Sequence, residues 1–283
     1  MTETLLSSKK ASSYLKVSQA TINKWADTGI INSFKTPGGH RRFLIEDLKN
    51  HHRFHSEGSS ELTPTIYKTE IQNCIVRRDY KSISKYFEKY ILKGNADNSY
   101  NLIFTLYMKN YSLEEIFDKI IKESMINIGK KWKRRSLGIE EEHVASNTVL
   151  TSLYRLDKVI QKKEHIGKIV ICAGLENEFH EIGLLCVRIV LEASGWEVIY
   201  PGTNLPFNSI IKLTKKYKPD LLCISVTYMP DIDRITKSVK ELEKLSVTQG
   251  FKILIGGENE LFYGMKDHKC NCLSDLNFHI KEL

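Results

Sequence analysis

Three short stretches hold the polar and conformationally special residues from which a ligand site could be made. Glu178-Phe-His180-Glu-Ile-Gly183 gathers two carboxylates, an imidazole and a glycine, Ser225-Val-Thr227 adds two hydroxyls, and Gly256-Gly257 adds backbone without side chains. Each follows an apolar run that reads as a strand, and in an open parallel sheet ligands collect at the carboxyl ends of the strands. No nucleotide-type glycine-rich turn follows the first run, which excludes the dinucleotide version of such a sheet. Taken alone, His180 reads as an ordinary surface or core histidine, and only the coincidence of three loops makes it a candidate. A second set lies upstream, where Trp132 is followed after nine residues by Glu142-His143. Two helix ends meeting across the Lys133–Gly138 break would place an indole, a carboxylate and an imidazole together. Without that meeting, Trp132 is a core anchor and Glu140–Glu142 are acids suited to a helix N-terminus. A third set, Gln19, Thr21, Asn23 and Lys24 followed by His40-Arg41-Arg42, has the donors and charge for a polyanion.

These sets need elements to hold them. A chain of 283 residues is too long for one small domain, and 41% hydrophobic with 27% charged residues is a globular composition. No apolar run approaches the roughly 18 residues of a membrane helix. The first residues lack a basic stretch followed by an apolar core, so no secretory signal is read and a cytoplasmic location is expected. Cys172, Cys186 and Cys223 fall in apolar runs, where a thiol is a small core residue. His268-Lys-Cys270-Asn-Cys272 has no second ligand pair at zinc spacing, so a structural metal is not expected. Net charge is +8, and residues 1–55 hold nine Lys/Arg against four Asp/Glu, a concentration that fits a nucleic-acid footprint without deciding it.

Residues 1–55 read as a helix (Lys9–Leu15) with Ala11 and Leu15 inward, and a second helix (Gln19–Ala26) capped by Ser18, with Val17 and Ile22 as a hydrophobic staple. Ile22 and Trp25 would pack on the first helix, leaving Gln19, Thr21, Asn23 and Lys24 on the opposite surface. A glycine-tipped hairpin, Phe34-Lys-Thr-Pro-Gly-Gly-His-Arg-Arg-Phe43, and a third helix (Ile45–His52) complete the unit. Helix, turn, helix and this wing resemble the DNA-binding domain of MerR-type regulators over about 45 residues. The resemblance implies that the second helix enters the major groove by its N-terminal end while Arg41 and Arg42 press on the flanking backbone. A protein-interaction module of the same three helices is the alternative.

A polar Gly/Ser stretch, residues 56–64, reads as a flexible linker. Residues 65–163 read as a bundle of four or five helices, with apolar spacing in Ile83-Tyr86-Phe87-Ile91 and Leu113-Ile116-Phe117-Ile120-Ile121 and a capping box in Ser112 and Glu115. Residues 167–283 alternate: strands at Lys168–Cys172, Trp196–Tyr200, Leu221–Val226, Lys252–Ile255 and near Cys270–Leu273, helices at His180–Ala193, Asn208–Tyr217 and Ile232–Leu245. Such alternation predicts a doubly wound parallel sheet, so the chain as a whole is multidomain: an α winged helix-turn-helix, an α-helical bundle and an α/β Rossmann-like sheet.

The Glu178-x-His180-x-x-Gly183, Ser-x-Thr and Gly-Gly loops, in that order, resemble the cobalamin-binding fold. The resemblance implies that His180 binds cobalt from below while the displaced nucleotide tail enters a slot beside Gly183, Ser225, Thr227, Gly256 and Gly257. A neutral imidazole is a good cobalt ligand, and a carboxylate two residues earlier can hold its other nitrogen. The family often carries Asp where Glu178 stands, which shifts that hydrogen bond by a methylene. Trp132 with Glu142-His143 is similar to the CarH/LitR class of cobalamin photoreceptors. That likeness implies adenosylcobalamin as cofactor, Trp132 and Glu142 around its adenosyl group, and His143 as upper cobalt ligand after light.

The function so implied is a dark-state repressor that binds operator DNA, self-associates as a tetramer with adenosylcobalamin, and dissociates when light cleaves the cobalt–carbon bond. No turnover is required, so the chain is not read as an enzyme. The alternatives are a corrinoid methyl-transfer protein, a cobalamin-sensing regulator without a light response, and a regulator acting through protein contacts alone.

Overall fold

In a computed structural model of the chain, the described residues are 5–15, 17–27, 31, 33–35, 39–45, 48, 69–227, 232–257, 269–270 and 272–281. They divide into two compact units, Met1–Thr69 and Glu70–Leu283. Most of the expected helix Ile45–His52, the whole linker 56–64 and the wing tip at Pro37-Gly38 lie outside the described residues.

The first unit orders β1 (Leu5–Ser7), α1 (Ser8–Tyr14), α2 (Gln19–Asp27), β2 (Phe34–Lys35) and β3 (Arg41–Leu44). Ser18 Oγ accepts from the Thr21 amide at 3.0 Å and so starts α2 where a short oxygen-bearing side chain can satisfy an orphan donor. Ala11, Ile22, Ile31, Phe43 and Leu48 form the buried centre, with Leu15, Val17 and Trp25 packed against it. The hairpin expected from the wing sequence gains a third strand, giving an antiparallel sheet of order β1-β3-β2. Three residues are too few to show an alternation, which is why β1 was not foreseen.

The second unit begins with helices: α3 (Thr69–Arg77), α4 (Tyr80–Leu92), α5 (Ala96–Met108), a π-helical stretch Glu115–Lys122 continuing into α6 (Glu123–Lys133), and α7 (Ile139–Asp157). Local chemistry sets their ends. Asp79 caps α4 by accepting from Ser82, and Asn95 caps α5 by accepting from Asn98. Ser112 and Glu115 form the reciprocal box, at 2.8 and 3.2 Å. Ile83, Phe87, Ile91, Leu102, Ile103, Leu106, Ile116 and Ile120 are fully buried between helices, each worth about 1.5–3 kcal/mol of hydrophobic burial.

The α/β half runs β4 (Ile169–Leu175), α8 (Glu181–Ala193), β5 (Glu197–Leu205), α9 (Phe207–Tyr217), β6 (Leu221–Ser225), α10 (Ile232–Gln249), β7 (Lys252–Gly256), β8 (Lys269–Cys270) and α11 (Leu273–Lys281). All described strand pairs are parallel, in the order β5-β4-β6-β7-β8. Strand β4 is apolar throughout and buried on both faces, as a central parallel strand must be. One face buries Ile171, Ala173, Leu222, Ile224 and Ile253 against Ile210 of α9 and Val239 and Leu242 of α10. The chain turns one way from β4 to β5 and the other way to β6, so the switch point lies between the ends of β4 and β6. Cys172, Cys186 and Cys223 are buried, and burial pushes the Cys270 thiol up to about 12, so these sulfurs act as packing groups.

The helical and α/β segments, separate in the sequence reading, fall in one compact unit because polar contacts tie them together. Tyr154 of α7 donates to Glu181 Oε1 at 2.7 Å, and Arg188 of α8 binds Asp157 at 2.6 Å and Glu192 at 3.0 Å. At a second place, Asp118 of the π-helical stretch accepts from the Leu273 amide at 3.1 Å and the Ser274 amide at 3.3 Å. Glu114 accepts from Asn277 beside it. Of the stretch Cys270–Leu273, expected as a strand, the described residues place Cys270 in the strand Lys269–Cys270, and Leu273 opens a helix capped from the other half. Among the described residues, no helix is long and apolar enough to cross a membrane.

Candidate functional site

The switch point gathers the first set of candidates. After β4 the chain turns at Asn177, which adopts φ +69°, and delivers Glu178 to a position with 1% exposure. Glu178 Oε1 accepts from the His180 amide at 2.7 Å and lies 2.6 Å from His180 Nδ1. Its other oxygen accepts from the Thr227 amide, which ties the end of β6 to the end of β4. Burial by itself would raise this carboxyl. The hydrogen bonds from the His180 ring, the Thr227 amide and the His180 amide outweigh it and hold Glu178 below the usual carboxylate range. The same contact, foremost, raises the His180 imidazole above its ordinary value, against a smaller opposing effect of burial.

His180 stands just before α8, with its side chain 66% exposed. With Nδ1 against the carboxylate, Nε2 has no partner among the described residues. An imidazole oriented through one nitrogen and open at the other is the donor arrangement of a metal ligand. The apolar residue between them, Phe179, is 68% exposed.

The remaining sheet-edge residues lie close by. Ser225 ends β6 in register with Gly174 of β4 and Gly256 of β7. Gly183 sits in the first turn of α8, where an added Cβ would meet nothing within 4 Å. Gly257 adopts φ +137°, and an added Cβ would fall 1.8 Å from the Val226 carbonyl oxygen. Its need for glycine is thus met inside the protein, by close packing of the loops after β6 and β7.

The upstream set is placed at two helix ends. Trp132 lies in the last turn of α6, and Glu142 closes the first turn of α7 with His143 following it. Glu141 reaches back to the Gly138 amide at 2.9 Å and fixes that start. Glu142 accepts from Ser146 at 2.6 Å, and its charge reaches the His180 ring and helps to raise it. His143 is 68% exposed and 3.6 Å from Glu142, and Trp132 is 46% exposed. Among the described residues no hydrogen bond joins either to the sheet loops. Ile139 and Val144 on the same α7 turns are also exposed, at 57% and 45%. Exposed indole, alkyl and phenyl groups on the helical half and on Phe179 fit a large, partly apolar ligand.

Several neighbours of this site escaped the sequence reading. Tyr154 and Tyr200 both hydrogen-bond Glu181, the residue after His180, and Asn204 donates its amide to the Glu178 carbonyl at 2.9 Å. Only Phe179 carried a usable signal, as an apolar residue in an otherwise polar loop.

In the first unit, Gln19 and Lys24 are exposed on α2 and Asn23 is half-buried. The Thr21 hydroxyl, expected on the base-reading surface, is taken up by Ser18 Oγ at 2.8 Å. His40 is exposed beside Gly39, and Arg42 is half-buried. Arg41, expected against the DNA backbone, is turned the other way: it donates to the Asn23 carbonyl at 2.8 Å and pairs with Asp27 at 2.5 Å. The pleat is the reason, since alternate residues of a strand share a face and Arg41 shares that of fully buried Phe43.

Residues 168–263 and residues 74–157 each match a B12 binding domain, and residues 5–51 match a helix-turn-helix domain. The chain is 20% identical over 245 residues to the HTH-type transcriptional repressor CarH of Myxococcus xanthus, covering 81% of this chain and 80% of that one. The chain is thus similar to that repressor across most of both lengths. It is also 21% identical over 145 residues to the dimethylamine corrinoid protein of Methanosarcina barkeri, covering 50% of this chain and 68% of that one. The solved structure of the Methanosarcina barkeri monomethylamine corrinoid protein superposes with a TM-score of 0.58 at 15% identity, over 69% of this chain and 95% of that chain, a likeness of fold alone. In this chain the helix-turn-helix match comes first and the two B12 binding domain matches follow, so the basic N-terminal segment and the sheet-edge site fall in separately matched regions.

Proposed function

We propose that the chain is a cytoplasmic transcriptional repressor that binds adenosylcobalamin between its helical and α/β halves and releases operator DNA in response to light. The single observation that carries this reading is the His180 imidazole, held by Nδ1 against buried Glu178 and open at Nε2, with the Glu142 charge reaching it from the helical half. His180 would take the lower face of cobalt. Gly183, Ser225, Thr227, Gly256 and Gly257 would line the path of the nucleotide tail. Trp132, Glu142 and His143 would face the upper side. When bound, the cofactor supplies a cobalt–carbon bond that visible light breaks.

The protein's own part is to orient and to transmit. Glu178 fixes which imidazole nitrogen is available, while its bond to Thr227 keeps the loop after β6 from drifting. Exposed Trp132, Ile139 and Val144 exclude water from the upper side when they are covered. Tyr154 and Asp157 hold α7 to α8, so a displacement at the start of α8 is felt along the helix that carries Glu142. Self-association of such halves, as a tetramer in darkness, gathers several tethered readers and raises their effective concentration on repeated sites. The switch is a ligand-biased assembly equilibrium, and it needs no turnover.

The experiment is size-exclusion chromatography of the full chain with adenosylcobalamin, in darkness and after illumination. A mass that falls on illumination supports the reading. A loaded protein of unchanged mass leaves a cobalamin sensor without a light response. A protein that stays colourless, or a spectrum in which the cofactor keeps its own base, removes cobalt ligation by His180. A second reading, methyl transfer by a corrinoid protein, is favoured by the similarity to the dimethylamine corrinoid protein. It predicts methyl transfer from the loaded protein to a thiol, and it leaves the helix-turn-helix domain without a use.

A further inference from the structure

We propose that Arg41 is a positioning residue that sets the wing against the recognition helix, and that the phosphate contact on β3 belongs to its neighbour Arg42. The inference rests on the DNA-binding reading of the first unit and deepens it. Strand β3 is the central strand of its sheet, paired with β1 through Ser7, Leu6 and Leu5 and with β2 through Phe34 and Lys35. A paired central strand has no freedom to turn one residue over, so its pleat decides where each side chain goes. Arg41 and Phe43 point to the helices, and Arg42 and Leu44 to the other face. The guanidinium of Arg41 meets the last turns of α2 with both ends of its fork, Nη1 on the Asn23 carbonyl at 2.8 Å and Nη2 on Asp27 Oδ1 at 2.5 Å.

Three features distinguish a strut from a docking cation. The side chain is 14% exposed, whereas Asp27 is 64% exposed, so the arginine and not the acid is committed to the interior. Its position at the carboxyl end of α2 complements the partial negative charge there, and it offsets an aspartate that this end of a helix disfavours. The fork geometry is one that lysine cannot reproduce, because a point charge serves one acceptor direction at a time. Arg42, by contrast, donates among the described residues to the adjacent Arg41 carbonyl, at 3.2 Å, and lies across the strands from Ser7 and Phe34.

Salt dependence separates the two roles, because each lost phosphate contact makes the slope of log K against log salt shallower by about 0.9. The measurement uses the full chain loaded with cobalamin in darkness and a labelled duplex that the wild-type protein has selected from random sequence. Arg42→Gln is expected to flatten the slope by about one such step. Arg41→Gln is expected to weaken binding by roughly tenfold at every salt concentration with the slope unchanged, and Asp27→Asn to act in the same direction. Arg41→Lys keeps the charge and is expected to resemble Arg41→Gln. A flattened slope in Arg41→Gln, or wild-type affinity in Arg41→Lys, overturns the inference. Thermal unfolding of Asp27→Asn, Arg41→Gln and the double variant supplies a readout that needs no DNA, and non-additive losses are expected. Additive losses overturn the strut. A wild-type chain that selects no duplex defeats the DNA reading itself, and the unfolding cycle then still judges the pair.

Discussion

Among the histidines of the second unit that stand beside glutamates, His180 and His143 belong to pairs that are built differently. At the sheet edge the carboxylate is buried, lies 2.6 Å from the ring, and accepts from two backbone amides as well. On α7 the carboxylate of Glu142 is partly exposed, lies 3.6 Å from the His143 ring, and is engaged by Ser146. The first imidazole is fixed in direction by the ends of two strands. The second is on the surface of a single helix and can follow whatever approaches it. A ligand site that must both hold and respond has use for one of each.

The largest test of that contrast is His180→Ala, expected to weaken cobalamin binding by at least about 100-fold, against less than about fivefold for His143→Ala, by equilibrium dialysis in darkness. Equal losses would erase the distinction. Glu178→Gln should cost about 10- to 100-fold in affinity by loosening the ring. Glu178→Ala should also lower the melting temperature, since the Thr227 and His180 amides lose their acceptor at about 1–3 kcal/mol each.

The pH dependence of the unloaded protein sharpens the comparison further. His180 is raised, so its contribution to stability is full below its ordinary 6.5 and fades as pH climbs through the raised value. Glu178 is lowered, so its contribution is full above its ordinary 4.5 and fades as pH drops through the depressed value. The melting difference between wild type and His180→Ala should therefore be larger at pH 6 than at pH 9. A flat difference would mean that the ring and carboxylate are not coupled. The smallest effect is expected from Tyr154→Phe, which removes one partly exposed hydrogen bond between α7 and α8. Its cost is about 1 kcal/mol, or roughly 2–4 °C. Hydrogen exchange along α7 should rise while cobalamin uptake is kept.

Much of this frame was legible because its causes are local. Ser112 with Glu115, Ser18 before α2, and the unbroken apolar run Ile169–Leu175 each act within a few residues, and their elements stand where spacing puts them. The three loops after β4, β6 and β7 were legible as candidates because strand ends position them. What was hidden is non-local. The amide of Thr227 meets a carboxylate 49 residues away, and that of Leu273 one 155 residues away, and no window of sequence contains both partners. Arg41 is a different case. Its alternation with Phe43 was visible, but a basic wing invites every arginine to be assigned to DNA, and the shared face went unread.

The Asp118 carboxylate at the start of α11 has a practical corollary. The last helix of the sheet half begins on a side chain from the helical half, so cutting the chain near residue 168 would strip that helix of its first fastening. A fragment of residues 168–283 should therefore show less helix by circular dichroism than its share of the whole, and a peptide spanning the π-helical stretch should not restore it. Reporter dyes placed on Phe278, which is 64% exposed, would register any sliding of the two halves without touching the cofactor loops.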